Sequence, residues 1–85
     1  MEINDALTAF AALSQPTRLN AFRLLIQAGP NGLAAGEISD ALHVRQNTLS
    51  ANLSVLLGAG LVRNERQGRS IRYFADMDGL RGMLG

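Results

Sequence analysis

Cysteine and lysine are both absent from the sequence, and histidine occurs once, at His43. Without cysteine, these residues cannot form disulfides or hold a metal through thiolates. One histidine and no cluster of carboxylates leave no set of nucleophile, base and orienting group for covalent catalysis. The sequence therefore predicts that the protein is not an enzyme.

Long apolar runs are also missing. No segment approaches the ~18 apolar residues of a membrane span, and no basic-then-apolar signal peptide is present. We therefore expect a cytoplasmic protein with no membrane partner. The 85 residues make one small domain with a marginal core, yet 47% are hydrophobic and only 18% are charged. This apolar surplus favours burial in a subunit interface.

Every basic residue is an arginine, and the arginines are unevenly distributed. The formal net charge is only +1, too small to indicate nucleic-acid binding by itself. Between residues 41 and 74, however, five arginines stand against Glu65 alone, and both flanking segments are net negative. A localised basic region of this kind is typical of a nucleic-acid-binding surface.

Hydrophobic periodicity and turn residues predict five helices and a β-hairpin within a single domain, residues 1–85. The helices are expected over residues 3–13, 16–28, 36–42, 46–59 and 77–84, and the strands over 61–66 and 70–75. Pro16 favours a helix start, and the GPNG run after residue 28 favours a helix stop. Residues 33–35 lead into the third helix and could include a short strand.

Apolar spacing assigns one face to each of the first two helices. In the first helix this face comprises Ile3, Ala6, Leu7, Phe10 and Ala11. In the second it comprises Leu19, Phe22, Leu25 and Ile26, which are expected to be buried.

The segment 36–59 reads as two helices joined by a tight turn at residues 43–45, a helix-turn-helix. The second helix carries Leu49, Leu53, Leu56 and Leu57 on one stripe. Its other side holds Asn47, Thr48, Ser50, Ala51 and Ser54, and no carboxylate occurs from 46 to 59. Such a face suits a surface that approaches phosphates and base edges in a major groove. With the arginine-bearing hairpin that follows, the fold class is mainly α with a small β-hairpin, a winged helix-turn-helix that binds double-stranded DNA.

Four ordered segments also carry a family resemblance: residues 13–19 (LSQPTRL), 44–53 (VRQNTLSANL), 57–62 (LGAGLV) and 66–73 (RQGRSIRY). Together they resemble the ArsR/SmtB family of bacterial repressors, over about residues 5–84. The resemblance implies a homodimeric winged-helix repressor that occupies an operator and is released by an effector. It also implies dimerisation through the first and last helices, at Ile3, Leu7, Phe10, Leu80, Met83 and Leu84.

The resemblance makes the helix from Gln46 the reading helix. Gln46, Asn47 and Ser50 match the polar contact positions of the family. Ala51 and Asn52 differ from the family pattern, which leaves Ala51 only an apolar contact, for instance with a thymine methyl.

Residues 67–69 match the wing tip of the family, from which Arg69 would enter the minor groove or hold a phosphate. For Arg18, a contact with the DNA backbone and an intramolecular salt bridge to an acid are equally open. The residues predicted to bind DNA are Arg18, Arg45, Gln46, Asn47, Thr48, Ser50, Ser54, Arg66, Arg69 and Arg72.

The metal-sensing relatives differ from this sequence at their effector sites. Residues 34–37 lack the cysteine pair of those relatives, and the last helix has Asp76 and Asp78 without a histidine. These two acids are expected to cap the helix, and His43 to be a polar turn residue or a phosphate contact, because a metal ligand needs partners. We expect no cofactor within residues 1–85; a metalloid such as arsenite would require cysteines after Gly85. The alternative function is a winged-helix protein–protein interaction module without DNA binding.

Overall fold

The computed structural model describes the backbone of residues 3–84 and the side chains of residues 3–82. Its elements are α1 (Ile3–Leu13), α2 (Pro16–Ala28), β1 (Leu33–Ala34), α3 (Ala35–Leu42), α4 (Gln46–Gly58), β2 (Val62–Gln67), β3 (Ser70–Ala75) and α5 (Met77–Leu84). A 3-10 turn, Gly29–Asn31, follows α2. The bounds lie within one residue of those predicted, and β1 is the short strand left open by the sequence. The fold is a winged helix-turn-helix, as predicted.

Side chains at the helix ends explain why α2 and α5 begin where they do. Gln15 is the N-cap of α2, where its Oε1 accepts a hydrogen bond from the Arg18 backbone N at 2.8 Å. Pro16 follows at the first helical position. Asp76 acts in the same way for α5, since its Oδ1 accepts from the Gly79 N at 2.8 Å. The predicted capping role of Asp76 is thus confirmed.

The leucine stripe of α4 lies at the centre of the core. Leu49, Leu53 and Leu56 are at most 1% exposed, whereas Leu57 is only partly buried. Their buried neighbours come from the other elements and include Phe22, Leu25, Ile38, Leu61 and Val62. Each fully buried leucine contributes roughly 1.5–3 kcal/mol of transfer free energy. The stripe therefore fixes the rotation of α4 about its own axis.

The predicted buried face of α2 is half wrong. Phe22 and Leu25 are buried, but Leu19 and Ile26 remain 38% and 40% exposed, and Ala21 is fully buried instead. Successive helical residues are about 100° apart, so Leu19 and Ile26 lie roughly 100° from the centre of the face formed by the other three. Because α2 contacts α1, α3, α4 and β3, its buried side is crowded, and the small side chain of Ala21 fits there. The spacing of apolar residues alone does not reveal this crowding.

The large apolar residues of α1 lie on the outside of the described chain. Ile3, Leu7 and Phe10 are 75%, 59% and 58% exposed. The helix contacts the core through two small residues, Ala9 and Ala12, which are buried. An apolar stripe of this size on a small domain indicates an interaction surface.

The three strands form an antiparallel sheet in the order β1-β3-β2. Strands β2 and β3 pair from Val62↔Ala75 to Gln67↔Ser70, whereas β1 covers only Tyr73 and Arg72 of β3. We call the β2–β3 hairpin the wing. Its residues 66–71 extend beyond β1 and are called the distal wing. The tip is a two-residue loop in which only Gly68 has a positive φ, +63°, as in a type II′ turn.

Gly32 brings the segment before β1 against β3. Its φ of +60° and ψ of −169° belong to a region that is essentially restricted to glycine. A Cβ at this position would lie 2.6 Å from carbons of the Phe74 ring and closer still to the Tyr73 carbonyl oxygen.

Gly32→Ala should lower the free energy of unfolding by roughly 3 kcal/mol or more, because backbone strain and overpacking each cost ~1–3 kcal/mol. Chemical denaturation measures this loss.

Gly29→Ala is the matched control. Gly29 has a similar φ of +64°, but a Cβ there would have nothing within 4 Å. Only the strain of roughly 1–3 kcal/mol should appear. Equal destabilisation by the two substitutions would contradict the close packing of Gly32 on β3.

Candidate nucleic-acid interface

The outer face of α4 is polar and uncharged, as predicted. Gln46, Asn47, Thr48, Ser50 and Ser54 are all exposed. The Asn47 Oδ1 accepts a hydrogen bond from the Thr48 backbone N at 2.8 Å, which leaves its amide NH₂ as a donor. Burial of the leucine stripe turns this face outward, because the two sets of residues occupy opposite sides of one helix.

The turn between α3 and α4 is fixed by backbone geometry. His43 has a left-handed φ of +56° at the C-cap of α3, and the Val44 N donates to the Ser39 carbonyl at 3.1 Å. His43 is therefore a turn residue, one of the two roles left open for it. Arg45 follows as the N-cap residue of α4 without a side-chain capping bond. The turn places the arginine at the start of the polar face.

The wing tip and the start of α4 both lie near the N-terminus of α3. A shallow cleft between the wing and α3 is lined by Ala34, Ala35, Gly36, Arg69, Ser70, Ile71 and Tyr73. Gly36 is also close to α4, since a Cβ there would lie 4.0 Å from the Gln46 Nε2. Arg69 and Gln46 thus lie near the same short stretch of chain.

Three arginines of the basic region are exposed and have no side-chain partner among the described residues. Arg45, Arg66 and Arg69 make no ion pair or side-chain hydrogen bond within residues 3–82. Arg63 differs, because its Nη1 lies 3.2 Å from the Glu65 Oε1 and its guanidinium covers the Phe74 ring at 4.4 Å. The arginines available to an anionic partner therefore belong to the α4 turn and the distal wing.

Arg72, by contrast, has intramolecular partners. Its Nε donates to the Asn31 carbonyl at 2.7 Å and its Nη2 to the Gly32 carbonyl at 3.3 Å. The same Nη2 lies 3.6 Å from Glu37 Oε1. These contacts join β3 to the turn before β1 and to α3. They could not be read from the sequence, since the partners are about 40 residues away.

Arg18 also points into the protein, and the acidic partner considered for it is wrong within the described chain. Its Nε donates to the Ala12 carbonyl at 2.6 Å, and its Nη1 to the Asn52 Oδ1 at 3.3 Å. Asn52 in turn donates through Nδ2 to the Thr48 carbonyl at 3.0 Å. Arg18 therefore joins the C-terminus of α1 to the reading helix, and its cation is favourably placed at a helix C-terminus.

The residues predicted to form a dimer interface divide into three groups. Ile3, Leu7 and Phe10 are exposed on α1, and Leu80 of α5 is partly buried against the core. The side chains of Met83 and Leu84 lie outside the described residues. Five further large apolar residues are exposed in the described chain and were not among those predicted: Leu19, Ile26, Val55, Ile71 and Met77.

The described part of the chain offers neither a metal-binding cluster nor a membrane-spanning helix. No group of three or more His, Asp or Glu residues there is arranged to hold a metal ion. Asp78, predicted as a cap, instead lies in the first turn of α5, with its Oδ1 3.5 Å from Arg81. Across residues 3–84, every helix is too short or too polar to traverse a bilayer.

The fold and this surface define a winged helix-turn-helix protein, and comparison with known proteins agrees. The sequence model of a helix-turn-helix domain family matches residues 13–65. The HTH-type transcriptional repressor SmtB of Mycobacterium tuberculosis is 37% identical over 62 residues, which cover 73% of this chain and 44% of SmtB. The chain thus spans less than half the length of that relative.

Two solved structures are similar over nearly the whole chain. An ArsR-like transcriptional regulator from Rhodococcus gives a TM-score of 0.83 at 29% identity, over 96% of this chain and 74% of the other. The homodimeric winged helix-turn-helix DNA-binding domain of a possible ArsR-family regulator from Mycobacterium bovis gives 0.82 at 29% identity, with the same coverage. The chain belongs to the ArsR/SmtB family of transcriptional regulators, which carry a DNA-binding helix-turn-helix and are not enzymes, as predicted.

The contacts of Arg18 generate a stability prediction. Arg18→Met keeps the aliphatic stem but removes the donors to Ala12 and Asn52, and should lower the free energy of unfolding by about 1–3 kcal/mol. Arg23→Met on the exposed side of the same helix is the control and should change it by at most ~0.5 kcal/mol. Urea denaturation of both variants measures the difference. Equal stability of the two would mean that the Arg18 contacts do not support the fold.

Proposed function

We propose that the chain binds operator DNA as a homodimer, represses transcription from it, and is released by an effector. The observation that supports the proposal is that the carboxylate-free face of α4 and Arg69 are both exposed, and that Arg69 and the start of this face both lie near the N-terminus of α3. An operator-binding protein acts where the chromosome is, so we propose a cytoplasmic location.

In the proposed complex, α4 lies in the major groove. Asn47 has a free amide NH₂ and is suited to reading a base edge, and Gln46 stands beside it at the helix start. Ser50 and Ser54 lie further along the same face, where short hydroxyls can donate to bases or phosphates. Asn52 is less suited to reading, because its amide is oriented by bonds to Arg18 and to the Thr48 carbonyl.

The wing supplies the electrostatic part of the proposed interface. Arg66 and Arg69 project from the distal wing, and Arg45 stands at the start of α4. All three are exposed, and Arg forks onto phosphate or enters a narrow minor groove. Such contacts position the protein on any duplex, whereas α4 provides the discrimination.

Salt titration separates these two roles. Arg69→Ala should weaken binding to all duplexes and reduce the slope of log affinity against log salt by about 1, because one phosphate contact is lost. Asn47→Ala should leave the slope unchanged but cost ~1–3 kcal/mol on a duplex selected with the wild type, and relax discrimination at particular base pairs. Fluorescence anisotropy over a salt series measures both effects.

Arg23→Ala is the control for the salt titration, since it removes the same charge from α2. It should change neither slope nor selectivity. If Arg69→Ala and Asn47→Ala also left both unchanged, the assigned roles would be refuted. A wild type that failed to bind any duplex at low salt would instead favour the alternative, a protein–protein interaction module.

The exposed stripe of α1 supports the dimer. Ile3, Leu7 and Phe10 form a continuous apolar surface, and an isologous two-fold contact would cover it with the same stripe of a second copy. The dimer would present two α4 helices to half-sites about one helical turn apart. The domain of the Mycobacterium bovis relative is homodimeric, which supports a dimer for this chain.

Leu7→Glu should convert the dimer into a monomer, because two carboxylates would face each other in an apolar contact. Sedimentation velocity measures the change in mass, and affinity for a two-half-site duplex should fall with it. Thr8→Glu adds the same charge at a neighbouring exposed position and should leave the dimer intact. A wild type that sediments as a monomer would refute this part of the proposal.

The proposed release by an effector depends on which groups of the protein could bind one. We propose that residues 1–85 hold no cofactor, since they contain neither cysteine nor more than one histidine. A thiophilic effector such as arsenite would then need cysteines encoded after Gly85, and an organic inducer would not. Arsenite titration of the complete gene product on DNA tells these apart.

A further inference from the structure

The free part of the wing starts at Arg72. Strand β1 pairs with β3 only through Leu33↔Tyr73 and Ala34↔Arg72, so Arg72 is the last residue towards the tip with a partner on both sides. Beyond it, the distal wing has no strand partner outside its own hairpin. Arg69 is three residues further along, roughly 10 Å at the rise of a strand. A change of about 10° at Arg72 would therefore displace Arg69 by roughly 2 Å, enough to break a hydrogen bond to a phosphate.

Three segments meet at the Arg72 guanidinium. It donates to the carbonyls of Asn31 and Gly32 in the turn before β1, and it lies 3.6 Å from Glu37 in the first turn of α3. Glu37 is itself fixed, because its Oε1 accepts a hydrogen bond from the Ala34 N at 2.9 Å. The guanidinium thus ties the base of the distal wing to the helix-turn-helix.

We propose that Glu37 and Arg72 hold the wing in register with the reading helix, so that Arg72 is a positioning residue and not a phosphate contact. The proposal rests on the proposed DNA binding and revises the sequence-based assignment of Arg72. Its Nε and Nη2 already donate to carbonyls, so the guanidinium is held on the turn, and a phosphate could reach only its remaining N–H groups without displacing them. Arg66 and Arg69 have no such competitors among the described residues.

The proposal predicts that neutralising Glu37 changes DNA affinity in the direction opposite to that expected for an acid near DNA. An acid near a DNA interface ordinarily repels phosphates, so its removal would tighten binding. If Glu37 instead positions the wing, Glu37→Gln should weaken binding by about two- to fivefold, the range of an exposed ion pair. Glutamine keeps an oxygen that accepts from the Ala34 N, so the start of α3 is preserved.

The matched control is Asp40→Asn. Asp40 is an exposed acid on the same helix, and it has no ion pair within residues 3–82. Its neutralisation should leave DNA affinity unchanged or slightly raise it. Opposite directions for Glu37→Gln and Asp40→Asn at the same salt would separate positioning from charge.

Arg72 is tested by comparing two substitutions. Arg72→Lys keeps the charge but loses the fork onto two carbonyls, and should weaken binding by about tenfold, as expected for loss of charged hydrogen bonds. Arg72→Gln should weaken it similarly. In a background that carries Arg66→Ala and Arg69→Ala, Arg72→Gln should leave the salt slope unchanged, because the wing contacts that it positions are already absent, whereas loss of a direct phosphate contact would still lower the slope by about 1. The double variant with Glu37→Gln should bind no more weakly than Arg72→Gln alone.

The measurement is fluorescence anisotropy of the full chain on a duplex selected with the wild type, at several salt concentrations. Unchanged or tighter binding by Glu37→Gln, or a salt slope that Arg72→Gln lowers by about 1 in the background of Arg66→Ala and Arg69→Ala, would overturn the inference while DNA binding stands. Absence of wild-type binding would overturn the proposed function instead.

Amide hydrogen exchange tests, without DNA, whether the contacts of Glu37 and Arg72 hold the distal wing. Glu37→Gln and Arg72→Lys should speed exchange in the distal wing, residues 66–71, whereas Asp40→Asn should not. Unaltered exchange in the first two variants would show that the distal wing keeps its position without them, and would refute the inference independently of any DNA result.

Discussion

Burial of the α4 leucine stripe is the constraint on which the rest of the structure depends. Leu49, Leu53 and Leu56 are enclosed by side chains from α2, α3 and the segment that leads into β2. A rotation of α4 would expose two or three leucines at once, so the helix has one stable orientation in the fold. The same constraint turns the short polar residues outward. The core contacts and the candidate interface thus lie on opposite sides of the same helix.

The arginines divide by what they contact and not by where they occur in the sequence. Arg18 and Arg72 donate to backbone carbonyls and connect distant segments, whereas Arg45, Arg66 and Arg69 remain exposed without protein partners among the described residues. In the proposed arrangement, the hydrogen bonds of Arg18 and Arg72 hold in place the elements that carry the three exposed arginines. A basic protein surface can thus contain cations whose main contribution is geometric.

Much of the fold was predictable because it follows from local rules. Helix ends coincide with Pro16 and with glycine-rich turns, and the polar face of α4 follows from its leucine period. The exposure of Leu19 and the burial of Ala21 were not predictable, since they depend on which other elements crowd α2. The partners of Arg18 and Arg72 were hidden for the same reason: a carbonyl acceptor exists at every residue and gives no sequence signal.

The outer face of α4 has one more physical consequence. Its side chains at Asn47, Thr48, Ser50 and Ser54 are all short, so none can span a gap between the helix and a groove floor. In the proposed complex the α4 backbone must therefore lie deep in the groove along this stretch, since the longer side chains, Arg45 and Gln46, occur only at the start of the helix. Recognition would then depend closely on the shape of the groove floor beneath the middle of α4.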